Sequence, residues 1–217
     1  MTAGATELDR ASIQQSRFPS VFAQAVAALD AAGIPYVLLG GLASAVLGRP
    51  RCTQDIDLFV KPEDALRTLA ALRDAGFLTQ ETNPHWIYKA FREGVTVDVL
   101  FKARGDIYLD DVMLARSRVR SCLDQPVRVI PPEDLIVIKA LVHDEETPRH
   151  WHDALGIIAA GRLDWGYLVR RANKGPHRVL SLLLYAVSLG LVVPPTAVRA
   201  LYTEAFDAQG TVDPGSA

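Results

Sequence analysis

In this chain of 217 residues, the side chains best able to do chemistry are two aspartates one residue apart and a glycine pair upstream of them. Asp55 and Asp57 lie in Asp55-Ile56-Asp57-Leu58-Phe59-Val60, an apolar run of strand character. Strand alternation puts both carboxylates on one face and Ile56 and Leu58 on the other. Two carboxylates side by side repel, and a hard divalent cation relieves the repulsion. Mg²⁺ commonly takes one or two carboxylates and keeps its other positions for water and substrate phosphates. Upstream, Val37-Leu38-Leu39 is stopped by Gly40-Gly41 and followed by LASAVL, the order of strand, tight turn and helix. Without a Cβ, glycine lets its amide approach an anion, and the helix start adds unpaired N–H groups and a positive dipole end. Ser44 either supplies a hydroxyl there or is a small helix residue packed on the sheet.

A third carboxylate follows. Phe91-Arg92-Glu93-Gly94-Val95-Thr96-Val97-Asp98-Val99-Leu100-Phe101 reads as a hairpin with Glu-Gly at its turn, which sets Asp98 inside an otherwise apolar strand. A lone buried aspartate is costly. If its strand lies beside that of Asp55 and Asp57, the three form an acidic cluster able to hold one or two Mg²⁺ ions and to deprotonate an attacking hydroxyl.

Gly-Gly, a spacer, Asp-x-Asp and a later Asp, in this order, resemble the signature of the DNA polymerase beta-like nucleotidyltransferase superfamily. Arg51-Cys52-Thr53-Gln54-Asp55-Ile56-Asp57 is similar to the Arg-x-Thr-x-Asp-Ile-Asp form of small prokaryotic members. These are abortive-infection toxin-type nucleotidyltransferases and the aminoglycoside and lincosamide adenylyltransferases. The resemblance implies that Gly40, Gly41 and Ser44 contact phosphate and that Arg51 joins them. It also implies that Asp55 and Asp57 bind Mg²⁺, with Asp98 as third carboxylate and general base. It extends more weakly to Pro131–Leu141, where Lys139 stands at the position of a helix lysine that meets the triphosphate. Lys139 read without the family is a solvated lysine at a helix edge. In Arg149-His150-Trp151-His152-Asp153 the chain departs from its relatives, with His152 where lysine is usual.

The function implied is transfer of a nucleoside monophosphate from an NTP such as ATP to an acceptor hydroxyl, with release of pyrophosphate. A toxin-type enzyme acting on RNA, such as tRNA, or on protein is the leading expectation, with a cognate antitoxin as partner. The rival readings are an antibiotic adenylyltransferase and a non-catalytic protein of the same fold that binds nucleotide or a partner.

Other features carry less. His143, Asp144, His150, His152 and Asp153 lack the compact spacing of a zinc site, and the two cysteines are far from them. Arg162, Arg170, Arg171, Lys174, His177 and Arg178 form a modest basic group, either a solvated helix face or a surface for an anionic acceptor such as a tRNA end. With 23 Lys and Arg against 25 Asp and Glu, no global basic excess announces nucleic acid. The opening MTAGATELDRAS has no apolar signal core, and the cysteines are only Cys52 and Cys122, so a reducing cytoplasm and no disulfide are expected. The apolar run Val179–Val193 is shorter than the ~20 residues that cross a bilayer and ends at Pro194-Pro195, so it is expected as a buried core helix.

The elements that must position these residues give an α+β (α/β) fold, a minimal nucleotidyltransferase fold with a mixed β-sheet flanked by helices and a helical C-terminal part. A leading helix is expected over Ile13–Ala32, a helix opening at Lys61-Pro62-Glu63-Asp64 and ending near Gly76, and strands over His85–Arg92 and Val95–Phe101. A peripheral hairpin is expected over Arg118–Leu123 and Val127–Ile130, with Asp124-Gln125-Pro126 as its turn. Helices are expected over Glu133–His143, Arg149–Ala160, Trp165–Ala172, Val179–Leu189 and Thr196–Phe206. A catalytic domain over 1–130, a helical part over 131–206 that walls one side of the active cleft, and a disordered tail over 207–217 follow.

Overall fold

The computed structural model describes residues 7–206, with side chains from Arg17 onward; the tail expected from 207 lies outside the described residues. Seven strands form one sheet: β1 (Tyr36–Leu38), β2 (Asp55–Val60), β3 (Leu78–Asn83), β4 (Ile87–Arg92), β5 (Val95–Leu100), β6 (Arg118–Cys122) and β7 (Gln125–Val129). Their order is β3-β4-β5-β2-β1-β7-β6. The sheet is mixed, as expected: β2 runs parallel to β5 and β1 parallel to β7, while the remaining neighbours are antiparallel.

Backbone contacts divide the chain into two units. Of the described residues, the first comprises those through Val46, Pro50–Ala103 and Tyr108–Pro131; the second comprises Leu47–Arg49, Arg104–Ile107 and those from Pro132 to Phe206. In the first unit, α1 (Glu7–Ala31) and α3 (Ala65–Asp74) pack together and against β5, and α3 also meets β3 and β4. Phe22, Leu29, Leu69, Leu72, Ile56, Val97 and Val99 are fully buried there.

The hairpin β4–β5 turns on Glu93 and Gly94, which pair Arg92 with Val95 and both have positive φ, 50° and 80°. This is the two-residue turn whose twist suits antiparallel strands. The second hairpin differs from expectation. Its turn is Leu123-Asp124, both at positive φ, and Pro126 lies inside β7 opposite Ser121. Proline is tolerated there because β7 meets β1 only at Val129, so nothing on that side requires an N–H from Pro126. Strand β3 and the short helix α4 (Asp111–Arg116) were not expected. β3 is an edge strand, mostly exposed, and its sequence LTQETN has no apolar alternation.

The second unit is helical: α5 (Pro132–Val142), α6 (Arg149–Ala159), α7 (Trp165–Arg171), α8 (Pro176–Ser188) and α9 (Pro195–Phe206). Helix α5 packs against α6, α7 and α8, and every residue from Glu133 to Leu141 is buried, as a central helix requires. The apolar run expected as a buried helix is buried on one face only. Val179, Leu180, Leu182, Leu183 and Ala186 face inward, while Leu184, Tyr185, Val187, Leu189 and Val192 are exposed. Among the described residues no helix is long and apolar enough to cross a membrane.

Candidate active site

The parallel pairing of β2 with β5 decides where the carboxylates meet. Its register sets Asp57 beside Asp98 and Asp55 beside Thr96. Because both strands alternate, Asp55, Asp57 and Asp98 share one face while Ile56, Leu58, Val97 and Val99 go to the buried one. One ligand oxygen from each of the three aspartates lies within 4.8 Å of the others. Like charges so close are costly, and the neighbours temper the cost. Lys89, opposite Asp98 on β4, donates from Nζ to Asp98 Oδ1 at 2.6 Å. Thr53 donates its hydroxyl to Asp55 Oδ1 at 2.5 Å. Burial pushes the Asp98 carboxyl up, Lys89 draws it back down, and the charge of Asp55 adds to the rise.

The glycine turn is built against this cluster. Gly40 opens α2 (Gly40–Leu47) with φ +62°, and a Cβ there would overlap the Asp57 carboxylate. Leu39 donates its N–H to the Asp57 carbonyl at 2.9 Å, which ties the end of β1 to β2. A Cβ on Gly41 would stand 2.6 Å from the Thr53 hydroxyl and 3.0 Å from the Arg51 guanidinium. The two glycines thus make room for Asp57, Thr53 and Arg51. Arg51 lies over Gly41 and donates to the Cys52 carbonyl at 3.0 Å. Ser44 is fully buried, and its hydroxyl donates to the Gly40 carbonyl at 2.8 Å, bracing the turn from within.

Lys139 belongs to the second unit. It is 4% exposed, so it is not a solvated lysine, and its ammonium meets Asp153 at 2.9 Å between α5 and α6. Asp134 on α5 accepts from the Tyr167 hydroxyl at 2.7 Å and from Arg171 at 2.5 Å. Arg178 donates to the His143 carbonyl. Two members of the expected basic group, Arg171 and Arg178, therefore have internal partners. His152 is exposed. The cysteines are both free, Cys52 exposed and Cys122 buried.

Lys89 was missed from sequence, although a signal existed. In a hairpin turning on Glu93-Gly94, residues 89 and 98 are equidistant from the turn and must face each other. As a donor set, three carboxylates within reach of one another are hard oxygen ligands of the kind Mg²⁺ takes, with none of the sulfur or imidazole that favours zinc.

Two solved structures share the architecture. The antibiotic-resistance factor ANT(2'')-Ia superposes with a TM-score of 0.51 at 16% identity, over 89% of this chain and 95% of that one. An antigenic nucleotidyltransferase-like protein from Paracoccidioides brasiliensis gives 0.50 at 18% identity, over 86% and 96%. At such identities the likeness is one of fold. No curated protein matches in sequence. Residues 7–199 match the family described as uncharacterised nucleotidyltransferase, and the chain belongs to that family.

Proposed function

We propose that this nucleotidyltransferase uses Mg²⁺ and an NTP to place a nucleoside monophosphate on an acceptor hydroxyl of RNA or protein, as a toxin-type enzyme. The observation that carries the reading is the convergence of Asp55, Asp57 and Asp98 beside a glycine turn. Asp55 and Asp57, with Asp98, would hold the metal. When bound, Mg²⁺ would supply a Lewis acid that neutralises charge on the triphosphate. Gly40 and Gly41, lacking a Cβ, would let the backbone approach the polyphosphate, and Arg51, over Gly41, would add a guanidinium to it. Ser44 would reach phosphate only by giving up the Gly40 carbonyl.

Asp98 serves as the base. The proton of the acceptor hydroxyl passes to a carboxylate oxygen of Asp98 not engaged by the metal, and burial raises the carboxyl toward proton acceptance. The acceptor oxygen then forms its bond to the α-phosphorus as the bond to the β-phosphate oxygen breaks, and pyrophosphate leaves in line.

The Arg-x-Thr-x-Asp-Ile-Asp form supports the toxin-type reading and, with it, a cognate antitoxin. Fold shared with ANT(2'')-Ia over 89% of the chain supports a second reading, in which the acceptor is a small hydroxylated antibiotic. Incubation with Mg²⁺, each of four α-labelled NTPs and cell extract separates them. Label in RNA or protein, abolished by EDTA, is the expected result and names the nucleotide. Label confined to an added aminoglycoside or lincosamide replaces the macromolecular acceptor with the small one, and label nowhere contradicts both.

A further inference from the structure

Lys89 has no part in the signature residues, yet it touches the cluster. Its register with Asp98 across β4 and β5 is fixed by the Glu93-Gly94 turn, and the stem brings Nζ to 2.6 Å from Oδ1. On the other side β3 offers Gln80, and the same-face neighbours along β4 are Ile87 and Phe91, all uncharged. Asp98, at 2.6 Å, is the charged group that the Lys89 ammonium meets across the hairpin. The Asp98 side chain is 13% exposed and that of Lys89 31% exposed, so the lysine is the more accessible member of the pair.

A carboxylate cannot give the same oxygen fully to an ammonium and to a divalent cation. We propose that Lys89 is the resident counter-cation of Asp98 and competes with the metal for it. In the metal-free enzyme Asp98 is held by Lys89, and metal binding begins at Asp55 and Asp57. Asp98 joins them when the ammonium lets go. Lys89 is on this account a positioning residue, acting through Asp98, and the inference rests on the Mg²⁺ reading of the cluster.

The test is a titration of the full chain with Mn²⁺ alone, without nucleotide, followed by the paramagnetic resonance signal of free Mn²⁺. Thermal unfolding in EDTA and in Mn²⁺ accompanies it. Lys89→Met, which keeps the stem and removes the charge, is expected to bind Mn²⁺ about fivefold more tightly than the wild type, the scale of a partly exposed ion pair. It should melt lower than wild type in EDTA and regain the difference in Mn²⁺, because binding to the folded state alone stabilises it. Lys89→Arg should restore wild-type affinity. Unchanged or weaker Mn²⁺ binding in a folded Lys89→Met overturns the proposal, as does a melting deficit equal with and without metal, the mark of a purely structural lysine. If Lys89→Met does not fold, Lys89→Gln is read by the same criteria. Wild-type protein that binds no Mn²⁺ would overturn the metal reading of the cluster and this inference together, whereas binding that is indifferent to Lys89 overturns this inference alone.

Discussion

The ion pairs of the second unit and the carboxylate cluster of the first arrange charge in opposite ways. In the second, the buried carboxylates meet donors: Asp153 meets Lys139, Asp134 meets Arg171 and the Tyr167 hydroxyl, and Glu133 meets the Asp164 N–H. In the first, three carboxylates are directed at one another by the register of β2 and β5. Opposite charges brought together satisfy themselves and fix how helices pack. Like charges brought together ask for a cation, and a fold that keeps them adjacent at that cost points to a ligand. The contrast separates structural ionic groups from chemical ones without reference to any relative.

The strongest way to break the contrast is to neutralise one member on each side. Asp57→Asn is expected to lower turnover by about a thousandfold, since roughly 4 kcal/mol of charge stabilisation depends on the metal ligands. Its melting temperature should stay within about 3 °C of wild type. Steady-state pyrophosphate release and a thermal melt on the same preparation check both halves, and near-normal turnover would remove the cluster from the chemistry.

Lys139→Met should do the reverse. It leaves the Asp153 carboxylate buried without its ammonium, at a cost of about 3–5 kcal/mol in urea unfolding. The double variant Lys139→Met/Asp153→Leu is expected to recover most of that loss. A raised KM for NTP in the restored double variant would assign Lys139 to the triphosphate as well, and an unchanged KM would leave it to packing.

Acid gives a smaller, signed comparison. Burial, with Lys139 and Arg149 close by, pushes the His150 imidazole down from 6.5 to about 4. A depressed folded value means the unfolded chain takes the proton first, so this contribution to stability is lost as pH falls from about 6.5 to about 4. His143, lowered by burial and then by Arg178, acts in the same direction. Asp98 is raised, so it contributes with the opposite sign as pH falls toward 3.8. His150→Gln should flatten the acid limb of a plot of melting temperature against pH, and an unaltered limb would show that His150 is not its source.

Much of the first unit was legible because its chemistry is local. Asp55 and Asp57 sit two apart on one strand, Gly40 needs its positive φ two residues after β1, and the Glu93-Gly94 turn is a short-range signal. The same turn held the position of Lys89, which went unread because no motif includes it. β3 was invisible because an exposed edge strand has no need of apolar alternation, and α4 because six residues capped by Asp110 make no period. The helices of the second unit announced themselves by periodicity. Their ion pairs did not: Lys139 meets Asp153 and Asp134 meets Arg171 across 14 and 37 residues of chain, through packing alone. For the same reason the Val179–Val193 run looked wholly internal while half of it is exposed. Ser44 shows a subtler limit, since its type and position suit a phosphate contact and its hydroxyl instead holds the Gly40 carbonyl.

The most direct test of the central claim is a crystal of the full chain grown with Mn²⁺ and an NTP analogue that cannot be cleaved at the α-phosphorus, examined by anomalous scattering. The account predicts a Mn²⁺ peak between Asp55 and Asp57 within coordination distance of both, with the triphosphate at Gly40-Gly41. Nucleotide bound elsewhere, or a metal that avoids these carboxylates, would contradict it.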